Sequence, residues 1–139
     1  MSAPDELVVY TDGGARGNPG PAAIGAVVFD PSTEPPAVVA TVSECIGVTT
    51  NNVAEYRAVI EGLKAARSLG PRRVVLRADS QLVIRQLEGR YRVKQAHLRP
   101  LYEEARALLD GFPEIELTHV RREENVDADA LVNAALDAG

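Results

Sequence analysis

The hydrophobic period of this chain changes near Thr50, and that change restricts the fold more than any other feature. Before it, apolar runs at residues 7–12, 22–30 and 38–46 alternate with a period of two. Side chains two apart share one face of a strand. Val8, Tyr10 and Asp12 therefore lie together, while Ile24, Ala26 and Val28 alternate against Gly25, Val27 and Phe29. Short turns, Pro31-Ser32-Thr33-Glu34-Pro35-Pro36 among them, separate the runs. Strands joined this way predict an antiparallel meander. After Thr50 the apolar residues Val53, Tyr56, Ile60 and Leu63 recur at helical spacing. Thr50 or Asn51 is the expected N-cap, and Gly70-Pro71 stops the helix.

From there strands and helices alternate. The pattern predicts a strand at 73–79 and a short helix at Gln81–Leu87, capped by Ser80 and ended by Gly89. A basic, irregular link follows at 90–94, then a helix at 97–109, a strand at 114–120 and a last helix at 124–138. Residues 1–5 read as a loose tail. The expected architecture is α/β, with later strands parallel to the first through right-handed crossovers and helices on both sheet faces. In such sheets ligands bind beyond the carboxyl ends of the strands.

A length of 139 residues fits one domain, 1–139, and no repeat or linker divides it. Cys45, the one cysteine, forms no internal disulfide and points to a reducing compartment, so the expected location is cytoplasmic. No signal peptide is expected, and no apolar run approaches the roughly 20 residues that span a bilayer. The net charge of −5 argues against a general nucleic-acid coat protein. It leaves a nucleic-acid enzyme open, because local charge decides and bound cations change the sign.

Acidic residues at element ends carry the chemistry. Asp12 sits where the first strand is expected to stop, ahead of the glycine-rich stretch Gly13-Gly14-Ala15-Arg16-Gly17-Asn18-Pro19-Gly20. Asp79 ends the strand at 73–79. Glu55 is expected in the first turn of the long helix, and Asp129 near the start of the last. Each has an ordinary reading: Asp12 and Asp79 as caps, Glu55 as a helix N-terminal charge, Asp129 as part of a solvated face. Converging together, these carboxylates would repel unless cations sat between them. Hard oxygen ligands suit Mg²⁺ or Mn²⁺, and ions about 4 Å apart clamp both oxygens of a phosphodiester undergoing hydrolysis.

These stretches resemble the ribonuclease HI family. Tyr10 to Pro21 is similar to its opening motif and Thr50-Asn51-Asn52-Val53-Ala54-Glu55-Tyr56 to its second. Ala78-Asp79-Ser80-Gln81 resembles the third, and Arg122 to Leu131 the fourth. The resemblance covers nearly the whole chain, in order. It implies the ribonuclease H-like fold, a five-stranded mixed sheet, and divalent-metal cleavage of the RNA strand of an RNA/DNA hybrid, leaving 5′-phosphate and 3′-hydroxyl ends. It also implies a monomer. By position it makes Asp12, Glu55, Asp79 and Asp129 the metal ligands. Asp127 rivals Asp129: residues two apart on a helix point about 200° apart, and periodicity does not choose, whereas the family pattern favours Asp129. Gly17, Asn18, Asn51, Asn52 and Gln81 match positions facing the minor groove of the hybrid, where amides read the ribose 2′-hydroxyl. Thr50 matches a phosphate contact on the DNA strand. For Asn51 and Asn52 the ordinary reading is helix capping.

The chain departs from the family in two places. Residues 121–128 lack the histidine many bacterial members carry, as in an archaeal-like branch. Arg122 stands nearby, expected to contact phosphate or assist product release; the alternative is a salt bridge with Glu124. The long basic handle of some members is also missing. Arg85, Arg90, Arg92, Lys94 and Arg99, against Glu88 alone, offer a reduced phosphate-binding surface or a solvated link. His97 and His119 are too isolated for zinc. Competing functions are another nuclease of this fold, activity on double-stranded RNA as well, and a binding module without catalysis. A nucleotide-binding loop fits poorly, because the glycines do not form Gly-x-Gly-x-x-Gly and a P-loop lysine is absent.

Overall fold

The computed structural model describes residues 3–139, so Met1 and Ser2 of the expected tail lie outside the described residues. The remainder of that tail is not loose at Asp5. Its carbonyl accepts the N–H groups of Arg72 and Arg73, and its carboxylate meets the Arg72 guanidinium at 2.9 Å.

The meander consists of β1 (Glu6–Ala15), β2 (Gly20–Asp30) and β3 (Ala37–Thr49). After α1 (Asn51–Arg67) come β4 (Arg73–Ala78) and α2 (Gln81–Leu87), then α3 (Arg99–Asp110), β5 (Glu114–His119) and α4 (Val126–Ala138). The sheet has five strands in the order β3-β2-β1-β4-β5. β1 pairs antiparallel with β2 and parallel with β4, and β5 runs parallel to β4. Fold class and strand directions are as the sequence pattern predicts.

Element boundaries differ for identifiable reasons. β1 does not stop at Asp12: it runs on through Gly13 and Gly14, which pair with Ile24 and Ala23 of β2. These glycines are strand residues, not turn residues. At Gly13 a Cβ would lie 2.2 Å from the Ala54 carbonyl oxygen, so glycine there lets α1 press against β1. The turn comes later, at Gly17, whose φ of +97° suits glycine. β3 extends from the expected 38–46 to Thr49, directly before α1, because its pairing with β2 continues to Gly20↔Thr49. Pro100, near the N-terminus of α3, splits the expected helix at 97–109 into a 3₁₀ turn, Ala96–Leu98, and α3. The last helix likewise starts as a 3₁₀ turn, Arg122–Glu124, broken from α4 at Asn125.

The helices cover the two faces unequally. Beneath α1 and α3 lies the main core, with Leu7, Val9, Tyr56, Ile60, Leu63, Leu76 and Leu109 almost wholly buried. On the other face α4 packs against β1, β2 and β3, seated by buried Ala128 and Val132. Helices thus stand on both faces, as expected, in unequal number. Beside α4 an open groove of about 590 Å³ runs past Tyr10, Phe29 and Arg77, where Arg77 lies over the Tyr10 ring.

Candidate active site

Strand register sets two of the acids side by side. The parallel pairing of β1 with β4 ends at Thr11↔Ala78, so Asp12 and Asp79 each follow the last paired residue at the carboxyl edge. Asp12 is buried, and its strand continues only along β2, opposite Gly25. Glu55 arrives from α1. Thr50 is the N-cap, its hydroxyl accepting the Val53 N–H at 3.3 Å, so the helix begins at Asn51 and Glu55 falls beyond the first turn where the sequence reading placed it. The close approach at Gly13 brings its N–H to the Glu55 carboxylate at 3.1 Å. One oxygen from each of Asp12, Glu55 and Asp79 lies within 4.8 Å of the others.

No arginine or lysine balances this group. Among the described residues, none of the three acids has an ion-pair partner. Burial, and after it the charge of Asp79, pushes the Asp12 carboxyl up to about 7. Burial also holds Glu55 well above the usual carboxylate range, with Asp12 and Asp79 adding to the effect. Both shifts favour the protonated, uncharged form of these acids. The site's donors, carboxylate oxygens alone, suit a hard divalent ion.

Asp129 stands beside this trio rather than within it. It lines the same cleft of about 570 Å³ as Asp12, Glu55, Asp79 and Arg122, and its charge contributes to the upward shift at Asp12. Its carboxylate accepts from the Asn133 amide at 3.3 Å. Asp127 lines the open groove on the sheet face instead. The seating of Ala128 and Val132 decides which acid meets the cleft, a rotation that periodicity left open. Arg122 reaches the cleft and makes no ion pair with Glu124; it is the neighbouring Arg121 whose backbone N–H bonds the Glu124 carboxylate at 2.9 Å.

The other motif residues form a linked rim. Asn51 accepts the Ala15 N–H at 2.8 Å, and Asn18 accepts the Asn51 N–H at 3.0 Å. Neither Asn51 nor Asn52 caps the helix, since Thr50 does. Asn52 lines the cleft. Gly17 and Gln81 are exposed farther out. Sequence reasoning assigned Asn125 no role, yet it is almost wholly buried and its amide donates to the Thr11 carbonyl at 2.9 Å. Its own carbonyl accepts the Asp129 N–H at 3.1 Å. Asn125 thus ties the start of α4 to the residue before Asp12. Its position between a 3₁₀ turn and a helix carries no periodic signal that would single it out.

A family described as reverse transcriptase-like matches residues 10–135. The ribonuclease HI of Halobacterium salinarum is 47% identical over 128 residues, 92% of this chain and 63% of that protein. The crystal structure of its RNase H1 has a TM-score of 0.91 at 45% identity, covering 96% of this chain and 99% of that one. The chain belongs to the ribonuclease HI family. Another member, LC11-RNase H1, solved in complex with an RNA/DNA hybrid, gives a TM-score of 0.86 at 40% identity, over 95% of this chain and 97% of that one. The bifunctional protein Rv2228c of Mycobacterium tuberculosis is 45% identical over 133 residues, 96% of this chain. This chain spans only 36% of that protein's length. Within the ribonuclease HI frame, the carboxylate trio, Asp129 and Arg122 share one cleft, and among the described residues no helix is long and apolar enough to cross a membrane.

Proposed function

We propose that residues 1–139 form a single ribonuclease H domain that hydrolyses the RNA strand of RNA/DNA hybrids at this cleft, leaving 5′-phosphate and 3′-hydroxyl ends. The carrying observation is the carboxylate trio, Asp12 and Glu55 buried and Asp79 half-buried, with no cationic partner among the described residues. Family membership supports the reading, as does the hybrid complex of LC11-RNase H1.

Asp12, Glu55 and Asp79, with Asp129 beside them, are the residues that would hold Mg²⁺ or Mn²⁺. When bound, such ions stabilise charge on the phosphate and lower the pKa of the attacking water. The chain itself supplies position. The Gly13 N–H orients Glu55, and Asn125 holds α4 against β1. Asn18 and Asn51 spend their side-chain oxygens on backbone N–H groups. Their NH₂ groups then face outward to donate to a ribose 2′-hydroxyl, the group DNA lacks. Gly17, Asn52 and Gln81 extend that surface. The Thr50 hydroxyl accepts at the cap and keeps its own hydrogen for a phosphate oxygen. Arg122, unpaired at the cleft mouth, contacts phosphate or helps release product. The protein acts as a monomer in the cytoplasm, where its exposed free thiol, Cys45, stays reduced.

The test is cleavage of an end-labelled hybrid with Mg²⁺, Mn²⁺ or chelator, beside single-stranded RNA, double-stranded RNA and double-stranded DNA. The expected result is metal-dependent cutting of the RNA strand of the hybrid, lost in Asp79→Asn and slowed in Arg122→Ala. Cutting of double-stranded RNA as well would widen the substrate. Binding of hybrid without cutting in either metal would make this a binding module and end the catalytic reading.

A further inference from the structure

The open groove of about 590 Å³ beside α4 shares no lining residue with the carboxylate cleft. Its floor comes from alternate residues of two parallel strands, Val8 and Tyr10 of β1 opposite Val75 and Arg77 of β4. Phe29 of β2 packs edge-on against Tyr10, with ring centroids 5.8 Å apart and planes at 84°. Both rings are half-buried, so each keeps part of its surface open to solvent. Pro31, Pro35 and Pro36, from the loop between β2 and β3, line the groove as well.

The rings are held before anything binds. Arg77 donates to the Tyr10 hydroxyl at 2.7 Å and lies over its ring, 5.4 Å from the centroid. A surface fixed in advance loses less conformational freedom when a ligand arrives. Four acids and two arginines line the groove, a net charge of −2. Arg73 is taken up by Glu6 and Glu116, at 2.7 Å each. Glu124 and Asp127, at the start of the last helix, are exposed. Among the described residues neither has an ion-pair partner.

We infer that this groove docks an extended, proline-rich segment of a partner protein, whose lysine or arginine side chains reach Glu124 and Asp127. Aromatic rings in a shallow groove suit a polyproline II segment, because its prolines are rigid and pack on the rings at little entropic cost. A small apolar ligand needs more enclosure than an open groove gives. A nucleic-acid strand could stack on the rings, but its phosphates would meet the acids. Acids without partners instead select cations on the docked segment. Because groove and cleft have separate linings, both can be occupied at once.

The probe is a fluorescein-labelled peptide of proline-proline-arginine repeats. Polyproline II has three residues per turn, so the arginines fall on one face. Glycine-glycine-arginine repeats keep the charge and lose the prolines; proline-proline-glutamate repeats do the reverse. Fluorescence anisotropy is expected to show saturable binding of the probe, several-fold weaker binding of the glycine form and none of the glutamate form. Glu124→Gln/Asp127→Asn is expected to weaken probe binding several-fold. Glu103→Gln/Glu104→Gln, which removes equal charge from α3 on the other face of the sheet, is expected to change little. No saturable binding, equal binding of the glycine form, or equal losses in the two variants would each overturn the inference.

Amide shifts in an NMR titration locate the peptide, and they are expected at Tyr10, Phe29, Arg77 and Asp127. Shifts confined to Asp12, Glu55 and Asp79 would put the peptide in the cleft, where three acids attract any cation. Shifts of the groove amides by single-stranded DNA, or by raising the protein concentration alone, would give the groove to a nucleic acid or to a second copy of this chain. Each of these results would overturn the inference. None of the readouts uses hybrid cleavage, so the docking groove and the ribonuclease reading stand or fall separately.

Discussion

The parallel strands gather acids at both edges of the sheet, and the two edges are built in opposite ways. At the amino edge Glu6, Arg73 and Glu114 stand in register across β1, β4 and β5. Arg73 bonds Glu6 and Glu116 at 2.7 Å each, and Arg72 joins Glu114 at 2.7 Å and Asp5 at 2.9 Å. The hydrogen bond from Arg72 holds the Asp5 and Glu114 carboxyls below their usual range. At the carboxyl edge β1 and β4 present Asp12 and Asp79 with no arginine between them, and Asp12 is pushed up to about 7. An acid with an arginine partner at a sheet edge is complete as it stands. Acids gathered without one, two of the three buried, form a donor set that suits a hard divalent cation.

Substitution at the two ends breaks or sharpens this contrast. Asp79→Asn is expected to lower hybrid cleavage by more than the roughly 100-fold that loss of a supporting residue costs, while Glu114→Gln leaves the rate unchanged. Equal losses at both ends in a steady-state assay would erase the distinction. Gly13→Ala comes next. Its Cβ would meet the Ala54 carbonyl at 2.2 Å, so α1 must move off β1 and carry Glu55 away. A loss of about 3 kcal/mol or more in denaturant unfolding is expected, as for severe overpacking, together with weaker metal binding by calorimetry.

A smaller effect has the opposite sign. Folding raises the Asp12 pKa from the ordinary carboxylate value to about 7. Its contribution to stability is therefore present in acid and lost as pH rises through about 7. Asp12→Asn in chelator is expected to gain about 1–3 kcal/mol at pH 8 and almost nothing at pH 4. Thermal melts at the two pH values would reveal it, and a variant no more stable than wild type at pH 8 would contradict the burial argument. At the amino edge the sign reverses. The lowered Glu114 and Asp5 groups support the fold at neutral pH and cease to as pH falls below the usual carboxylate range. Glu114→Gln should give the smallest change of the series, a slight drop in melting temperature that disappears in high salt, as exposed ion pairs do.

Much of this molecule was legible in order and period. The switch from alternate residues to helical spacing near Thr50 placed the meander before the helices, and short apolar runs after Gly70 placed β4 and β5. Asp12 and Asp79 fell at the ends of strand runs, so their convergence followed from one rule, that parallel strands bring their carboxyl ends together. Boundaries were less legible. β1 passes through Gly13 and Gly14 because β2 continues to pair with it, and a glycine pair reads as a turn when its neighbour is unknown. The helix expected at 97–109 begins at Arg99 because of Pro100, a local signal that the apolar spacing obscured.

Sequence by itself determined the kinds of element, their succession, and which residue types reach the carboxyl edge, because these depend on neighbours a few positions away. Tertiary structure alone decided the rest. The seating of Ala128 and Val132 turned Asp129 toward the cleft and Asp127 toward the other groove. Burial beneath α1 set the proton affinity of Asp12 and Glu55. Tyr56 and Gln86, 30 positions apart, fixed a basic link that reads as solvated in one dimension. Each of these rests on contacts between residues distant in the chain, and such contacts leave no period to read.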